Sequence, residues 1–457
     1  MNNNEVLIVG AGLTGLSLAH FLKKHGIKTR IIDKSDRPGG VINTIREDGF
    51  IYESGPNTGV LSSYELVSLF EDLRDNVTLE TARKAAEKRY ILKNNKWEAL
   101  PSGLISALGT PLFTLKDKFG ILGEPFRKPG NNPYESVADM VVRRLGKSYL
   151  DYAVDPFISG IYAGDPKILA TSYALPKLYA LEQNYGSFIK GTIAKSRIKK
   201  TPEEMKVTKQ VFSAEGGLGN LISALVLSAG ESNISCGISD LKILPEGRLF
   251  RVSWNSSNGS GNEELFPVVV TTTGAYSLPQ ILPFADRTSL EPLLQLNYAR
   301  VVQVAAGYTE WKGLKLDAFG ALVPGMEKKN ILGILFPSAI FKDRAPENGA
   351  LLSVFMGGMK RPDIYSMSDN EIVNIVLDTL EQTMKTEQVP DLLRIFRYEH
   401  AIPQYDKSTG SRLEAIGRIE REYPGLILAG NIRDGIGMSD RVKQAARIAD
   451  QIKIIFS

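Results

Sequence analysis

The sequence predicts a chain of mixed α/β and α+β class, in which the first and last segments close one discontinuous parallel-sheet domain around an inserted middle. Two strand–glycine turn–helix patterns indicate this domain: one opens the chain at residues 5–32, and the other ends it at about residues 426–454. Between them, apolar residues alternate at strand spacing in some stretches and recur at helical spacing in others. We therefore expect a parallel sheet with at least one further sheet inserted into it.

The opening pattern is a complete βαβ unit. Residues 5–9 (EVLIV) end in an apolar run typical of a buried parallel strand, and residues 16–25 place apolar side chains at helical spacing. Residues 28–32 return to a strand pattern, and a helical pattern follows between about 60 and 80. The chain thus begins as an α/β protein.

The middle of the chain divides into a helical block and a strand-rich block. Residues 100–200 have mostly helical spacing, interrupted by prolines, and residues 369–385 form an amphipathic helical pattern. Strand patterns occur at 234–254, 265–275, 301–308, 319–324, 331–336 and 350–356. We predict a discontinuous domain from 1–80, 205–275 and 400–457, a largely helical domain from 81–204, and a domain with an antiparallel sheet from 276–399.

Composition excludes several classes of protein. The 457 residues are 43% hydrophobic and 23% charged, which is typical of a globular chain. A net charge of +4 is too small to indicate a nucleic-acid partner, and a single cysteine, Cys236, cannot form a disulfide within the chain or a Cys-rich metal site. We expect no metal. With no secretory or membrane-spanning pattern in the sequence, we expect a cytoplasmic protein.

The glycine turn after the first strand has the pattern of a dinucleotide-binding loop. Gly10 permits the tight turn, Gly12 leaves room for a pyrophosphate at the backbone, and Gly15 lets the helix pack closely on the strand. An acid ends the second strand, where it can accept hydrogen bonds from ribose and disfavours a 2′-phosphate. The candidate nucleotide residues are Gly10, Ala11, Gly12, Leu13, Thr14, Gly15, Asp33 and Lys34. NAD and FAD both fit this pattern, and a strand–turn–helix with a surface aspartate is the structural alternative.

Two further glycine segments favour FAD. Residues 36–40, Asp-Arg-Pro-Gly-Gly, resemble the RxGG motif of the flavin amine oxidase superfamily. Residues 430–438 form a glycine-rich turn between a strand and a helix, and in that superfamily the corresponding turn lies against the flavin. Each segment alone would fit an ordinary surface loop. Together they imply a Rossmann-like FAD-binding domain.

The resemblance narrows to the protoporphyrinogen oxidase family and extends over nearly the whole chain. It is carried by DPFISGIYAGDP (155–166), LEQNYGSFIKG (181–191), VFSAEGGLGNL (211–221) and shorter segments such as YESGPNT (52–58) and KRYI (88–91). The resemblance implies an inserted mixed-sheet substrate domain and an α-helical domain of the membrane-binding type.

The resemblance also implies further cofactor residues. The family's acid at the ribose is usually Glu, where this chain has Asp33, and its adenine contact is often Val, where this chain has Ile238. The further FAD residues implied are Arg37, Gly39, Gly40, Gly55, Pro56, Asn57, Thr58, Ile238, Ala401, Gly430, Asn431, Ile436, Gly437 and Met438.

A porphyrinogen is a large apolar ring with carboxylates, so its site needs apolar walls and a cation at one edge. By the resemblance, Arg89 pairs with a propionate, and Leu322, Leu335 and Phe355 line the ring. Gly160 and Tyr162 belong to the segment expected to face the ring above the flavin. Core packing is the alternative for the apolar residues, and a surface position is the alternative for Arg89. The sequence indicates no catalytic base.

The implied function is the FAD-dependent oxidation of protoporphyrinogen IX to protoporphyrin IX by oxygen. Coproporphyrinogen III oxidation and a non-catalytic porphyrin or nucleotide carrier are the alternatives. Attachment to the inner face of the cytoplasmic membrane and a homodimer both stay open. The residues considered for the membrane are Leu104, Ile105, Leu108, Leu112 and Phe113, for which helix packing is the alternative.

Overall fold

A computed structural model describes residues 5–101, 106, 109–199 and 201–456. The strands in these ranges are β1 (Glu5–Val9), β2 (Lys28–Ile32), β3 (Thr44–Glu47), β4 (Phe50–Glu53), β5 (Gly59–Val60), β6 (Leu79–Thr81), β7 (Tyr90–Lys93), β8 (Lys96–Ala99), β9 (Val211–Ala214), β10 (Ile234–Ser235), β11 (Ser239–Glu246), β12 (Leu249–Asn255), β13 (Gly261–Phe266), β14 (Val268–Thr271), β15 (Tyr298–Tyr308), β16 (Gly320–Leu322), β17 (Gly333–Leu335), β18 (Ala350–Gly357), β19 (Leu392–Pro403) and β20 (Leu426–Leu428).

The α-helices in the described ranges are α1 (Leu13–Lys24), α2 (Tyr64–Asp72), α3 (Leu115–Gly120), α4 (Val137–Arg144), α5 (Lys147–Tyr149), α6 (Asp155–Tyr162), α7 (Thr171–Ala174), α8 (Pro176–Tyr185), α9 (Phe188–Ser196), α10 (Pro202–Lys206), α11 (Gly219–Ala229), α12 (Leu278–Ile281), α13 (Arg287–Leu294), α14 (Pro337–Ile340), α15 (Asp369–Met384), α16 (Thr409–Glu422) and α17 (Met438–Phe456). Short 3₁₀ turns occur at Lys84–Glu87, Ile121–Phe126, Glu231–Asn233, Ala275–Ser277, Gly325–Glu327 and Pro362–Ser366, and a π-helical turn at Leu150–Val154.

A five-stranded parallel sheet forms the first domain, with strand order β10-β2-β1-β14-β20. Its central strand β1 is covered on both faces because its apolar side chains alternate: Val6 and Ile8 enter one hydrophobic cluster, and Leu7 and Val9 enter the other. The first cluster also receives apolar side chains of α1, α11 and α17. The predicted strands at 5–9 and 28–32 are confirmed with those bounds.

The second domain is built on a seven-stranded sheet of order β19-β15-β18-β17-β16-β7-β8, in which only the β7–β16 pair is parallel. One face packs against the buried side of α15. A capping box of Ser368 and Glu371 begins this helix at Asp369, which is its predicted start. The fold is therefore of the predicted mixed α/β and α+β class.

One part of the range 81–204 is not helical. Residues 90–99 form the hairpin β7–β8 at the edge of the seven-stranded sheet, although residues 81–204 were expected to be largely helical. Asn94 and Asn95 have φ angles of 52° and 59°, and two successive residues with positive φ are the signature of a type I′ turn. The seven-stranded sheet thus extends into the range 81–204.

Two of the residues considered for the membrane pack inside the protein, next to this hairpin. Leu112 and Phe113 are 1% and 6% exposed and contact Ile91 and Tyr152, so they lie in the protein interior rather than on a membrane-facing surface. Leu104, Ile105 and Leu108 lie outside the described residues. Within the described ranges, no helix combines the length and hydropathy needed to cross a membrane.

Candidate functional site

The Gly10–Gly15 turn has the geometry of a phosphate cradle. Gly10 has a φ of 110°, and a Cβ atom on Gly15 would lie 1.9 Å from the Gly10 carbonyl oxygen, so both positions require glycine. The N-cap of α1 is Gly12, which has no side chain to cap the first-turn N–H groups, and that turn contains no acid. Uncapped N–H groups and the helix dipole together favour an anion at this position.

The acid at the end of β2 already orients the cradle. Asp33 accepts a hydrogen bond from the Ala11 amide through Oδ2 at 2.6 Å and one from the Ser35 amide through Oδ1 at 2.8 Å. Each carboxylate oxygen has another lone pair that can accept from a ribose hydroxyl. The Ile238 amide donates to the Asp33 carbonyl at 3.1 Å, which brings the residue predicted at the adenine beside the residue predicted at the ribose. The neighbouring Lys34 ammonium lies 5.7 Å from the Tyr276 ring centroid.

The RxGG segment touches the cradle directly. The Gly39 amide donates to the Ala11 carbonyl at 2.8 Å, and a Cβ atom on Gly40 would lie 3.4 Å from the Gly12 Cα. Arg37 is exposed, and its guanidinium donates to carbonyl oxygens of its own loop, those of Pro38, Gly40 and Ile42. In this structure Arg37 braces the loop, and its contact with a pyrophosphate stays a prediction.

The predicted segments at 55–58 and 436–438 are brought together from opposite ends of the chain. Thr58 precedes Gly59, where a Cβ atom would lie 3.1 Å from the Met438 sulfur. Ser439, the residue after Met438, donates its hydroxyl to the Val60 carbonyl at 2.6 Å. The two segments are therefore neighbours in the fold.

The structure adds a segment that sequence reasoning missed, the threonines after β14. The Thr272 amide donates to the Val9 carbonyl at 2.8 Å, and a Cβ atom on Gly430 would lie 2.8 Å from the Thr272 carbonyl oxygen. Thr272 thus lies between the cradle and the glycine turn of residues 430–435. The buried Thr273 hydroxyl has no partner among the described residues, as a ligand-binding group would. The Thr-Thr-Thr-Gly run that ends a buried strand was the available signal.

Three of the predicted substrate residues share one face of the seven-stranded sheet. Leu322 pairs with Gly333, which pairs with Phe355, so these positions form one row across β16, β17 and β18. Leu335 lies two residues after Gly333 and therefore on the same face. Each of Leu322, Leu335 and Phe355 is partly exposed while its neighbours in the strand are buried. These side chains consequently line an opening rather than the core.

Arg89 lies on the same face. It precedes Ile91 by two residues, and Ile91 pairs with Leu322. Its guanidinium is half-buried, lies 5.1 Å from the Phe319 ring centroid, and forms no hydrogen bond or ion pair within the part of the chain that the structure describes. Burial lowers the pKa of Arg89 without any compensating acid. A half-buried cation without an anion is suited to bind one.

This face of the sheet contacts the cofactor segments. The Ser353 hydroxyl on β18 donates to Asn57 Oδ1 at 2.7 Å, and Gln303 on β15 donates from Nε2 to the Glu53 carbonyl at 2.7 Å. All four residues are buried. The sheet face that carries the predicted substrate residues is thus in direct contact with the segment that carries predicted cofactor residues.

Helix α6 contributes to the same site through one of its two predicted residues. A Cβ atom on Gly160 would lie 2.7 Å from a methyl carbon of Leu322, so the helix backbone approaches the row of pocket residues. Tyr162 is 8% exposed in the core of the helical domain, and its hydroxyl donates to the Ala174 carbonyl at 2.8 Å. Its ring is not brought to the pocket face. Ala401 joins a small cluster that includes Phe355.

The three histidines have other partners in the structure. His20 contacts Ser228 and Asp72, His25 contacts Asp450, and His400 stacks on Tyr276 with ring centroids 4.0 Å apart. Among the described residues, no group of three or more histidine, cysteine or acidic side chains is arranged for a metal ion. The chemistry that these residues support is orientation and charge binding around a cofactor.

Comparison with known proteins agrees with this site. The model of the family described as "Flavin containing amine oxidoreductase" matches residues 13–453. The chain is 29% identical to protoporphyrinogen oxidase 2, chloroplastic/mitochondrial, of Arabidopsis thaliana over 99% of this chain and 94% of that protein. It is 24% identical to coproporphyrinogen III oxidase of Bacillus subtilis (strain 168), over 99% of both chains.

Structural comparison leads to the same fold. A crystal structure named provisionally as a protoporphyrinogen oxidase, from Exiguobacterium sp. 255-15, superposes with a TM-score of 0.81 at 24% identity and covers 100% of both chains. The glycine cradle, the acid at its edge and the threonine hydroxyl that lacks a partner among the described residues fit a bound FAD. The chain therefore belongs to the flavin containing amine oxidoreductase family and is an FAD-dependent oxidoreductase.

Proposed function

We propose that this protein oxidises protoporphyrinogen IX to protoporphyrin IX in haem biosynthesis, with molecular oxygen as the final electron acceptor. The pocket face supports the proposal because it combines apolar walls, formed by Leu322, Leu335 and Phe355, with one cation, Arg89. A porphyrinogen has an apolar ring and propionate groups at its edge, which this combination matches. The relatives named protoporphyrinogen oxidase support the same substrate class.

Arg89 is the observation that carries the proposal. Its guanidinium is half-buried and has no acid partner among the described residues, although a buried cation is normally paired. The neighbouring Lys88 has the opposite arrangement: its ammonium forms an ion pair with Asp317 at 2.8 Å. The contrast between these adjacent cations indicates that Arg89 is reserved for a carboxylate that is not part of this chain.

The protein's own task in the reaction is placement. Bound FAD supplies the acceptor for hydride, and the chain holds the ring of the substrate against it. Arg89 fixes one edge of the substrate through a carboxylate, and the row of Leu322 and Phe355 excludes water from the ring. Gly160 permits the α6 backbone to approach closely because it has no side chain.

Fluorescence-monitored turnover tests this proposal. We expect the purified yellow protein to convert protoporphyrinogen IX to the fluorescent porphyrin, and Arg89→Met to raise the KM by roughly tenfold, since a charged hydrogen bond contributes about 1.5–3 kcal/mol. Lys88→Met is the matched control, because that cation already has a partner. Equal KM values for the Arg89 and Lys88 variants would show that Arg89 binds no substrate carboxylate.

Coproporphyrinogen III is the second candidate, because relatives with that substrate in their names match over the full chain at 24% and 25% identity. It has four propionates, which would require more cations around the ring. Within the described residues, the nearby Lys360 already contacts Asp155, so its charge is engaged. Side-by-side assays of the two porphyrinogens decide between the candidates, and a clear preference for coproporphyrinogen III would replace the first one.

We also propose that the enzyme is cytoplasmic and attaches peripherally to the inner face of the membrane. Because Leu112 and Phe113 are buried, we propose a different surface for this attachment. The apolar side chains of Leu115, Phe119, Leu122 and Phe126 are 65–88% exposed on α3 and the following turn. Such a patch suits an interfacial segment. Co-sedimentation with anionic phospholipid vesicles should fall when Phe119 and Phe126 are both changed to serine. Wild-type protein that stays in the supernatant would contradict this attachment, and gel filtration tests the homodimer.

A further inference from the structure

Two buried side chains near the C-terminus hold the glycine turn of residues 430–435 by its backbone. The Tyr405 hydroxyl donates to the Asn431 carbonyl at 2.9 Å and accepts from the Gly435 amide at 3.0 Å. Tyr405 is 3% exposed. A single hydroxyl group therefore ties both ends of the turn together.

The second side chain is Arg412 on α16, which is fully buried. Its Nε donates to the Ile432 carbonyl at 3.0 Å, and its Nη2 donates to the Thr409 hydroxyl at 3.1 Å. The guanidinium carbon lies 5.4 Å from the ring centroid of Tyr405. Arg412 thus holds a third backbone atom of the turn and packs on the tyrosine that holds the other two.

The turn needs external support because its own backbone is unusual. Gly430, Asp434 and Gly435 have φ angles of 89°, 64° and 96°, all in the left-handed region. Asp434 is not a glycine, so its conformation costs free energy that other contacts must offset. A turn of this shape is not stabilised by a regular strand or helix, and side chains must fix it.

A buried arginine supports the turn at a high cost in desolvation free energy. Burial of a guanidinium carries a large desolvation cost, which lowers the pKa of Arg412 although the nearby Tyr405 and Asp406 act in the opposite direction. Its Nη1 also has no hydrogen-bond partner among the described residues. An apolar side chain would fill the same space without this desolvation cost, so packing alone does not account for this arginine.

We propose that Tyr405 and Arg412 are cofactor-positioning residues, which fix the turn of residues 430–435 in the shape that receives the flavin ring. The proposal deepens the proposed function at the cofactor. It rests on the position of this turn at the FAD and is independent of which porphyrinogen the protein oxidises.

FAD release from the holoenzyme tests the proposal, since free FAD is fluorescent and can be followed on dilution. We expect Tyr405→Phe to raise the FAD dissociation constant about tenfold, because it removes the hydroxyl that joins Asn431 to Gly435. We also expect a changed visible absorption band of the bound flavin and a lower kcat with an unchanged KM for porphyrinogen.

Tyr308→Phe is the matched control. Tyr308 is also buried, at 1% exposure, and its hydroxyl has no hydrogen-bond partner among the described residues. It should retain FAD and its spectrum as the wild type does. If Tyr405→Phe retains FAD and the flavin spectrum as well as this control does, and only thermal stability falls, the pair has a structural role and the proposal is wrong.

Arg412→Lys provides a second measurement that holds if the tyrosine variant fails to fold. Lysine keeps the charge but loses the fork that contacts Ile432 and Thr409 together. We expect about threefold weaker FAD binding, and wild-type retention of FAD by this variant would overturn the assignment of Arg412. FAD release and the flavin spectrum are measured without porphyrinogen, so failure of the proposed substrate would not affect these two results.

Discussion

Replacement of Gly160 by alanine would add one methyl group to the helix backbone that faces the pocket. The new Cβ would lie 2.7 Å from a methyl carbon of Leu322, which is closer than two carbon atoms can approach. The end of a leucine side chain can rotate away, so the fold should tolerate the change. The displaced side chain must then enter the space in which we place the porphyrinogen ring.

The expected loss follows from the cost of overpacking. One extra methyl group in a well-packed region costs about 1–3 kcal/mol, which corresponds to a decrease in kcat/KM of roughly 5- to 150-fold if the cost falls on the bound substrate. This decrease should come mainly from a higher KM, and the flavin absorption spectrum should be unchanged. Steady-state turnover of protoporphyrinogen IX, followed by porphyrin fluorescence, measures both constants.

Gly120→Ala is the appropriate control, since Gly120 is also a helical glycine and an added Cβ would have no atom within 4 Å. Both substitutions bring the same gain in helix propensity. Shortening the displaced side chain, with Leu322→Val in the Gly160→Ala background, should recover part of the lost activity. If Gly160→Ala turns over as fast as Gly120→Ala, α6 does not border the substrate, and the pocket must be redrawn.

Three further predictions concern the cradle and the helical domain. Gly15→Ala should abolish FAD binding, because its Cβ would overlap the Gly10 carbonyl, and the isolated protein should be colourless. Glu124→Gln should destabilise the helical domain by about 1.5–3 kcal/mol in chemical denaturation, since the fully buried Arg144 would keep only Glu182, 3.5 Å from its Nε, as a carboxylate partner. Burial would raise the pKa of Glu124, but hydrogen bonds from Ser187, Phe188 and Arg144 outweigh this effect and lower the pKa below 4.5. The stabilisation by Glu124 should therefore persist at neutral pH and disappear as the pH falls through the lowered pKa. Circular dichroism at a series of pH values measures this loss.

The parts of the fold that sequence could predict are those with strong local signals. The strand–glycine–helix unit at residues 5–32 combines an apolar run, a glycine turn and helical spacing, and each signal depends only on neighbours in the chain. The hairpin at residues 90–99 was missed because its strands are only four residues each. Its Asn94-Asn95 turn, which has positive φ at both residues, was a usable local signal.

The sequence selects candidate residues for the site but not their arrangement. The resemblance selected Arg89 and Leu322, yet their common face depends on the parallel pairing of β7 with β16, more than 200 residues apart in sequence. No local pattern specifies such a register. Tyr162 shows the opposite limit: it lies in a segment that contributes to the site, but side chains of one helix point in different directions, and this one points into the core.

The parallel sheet also has a consequence for how the enzyme matures. Its five strands come from widely separated parts of the chain, and the edge strand β20 leads directly into the glycine turn of residues 430–435. During synthesis from the N-terminus, the phosphate cradle emerges more than 400 residues before that turn. A nascent chain can therefore present the nucleotide end of the pocket long before the flavin end exists. Tight capture of FAD should then require synthesis past this turn, so that coloured protein reports chains that have folded through residues 430–435.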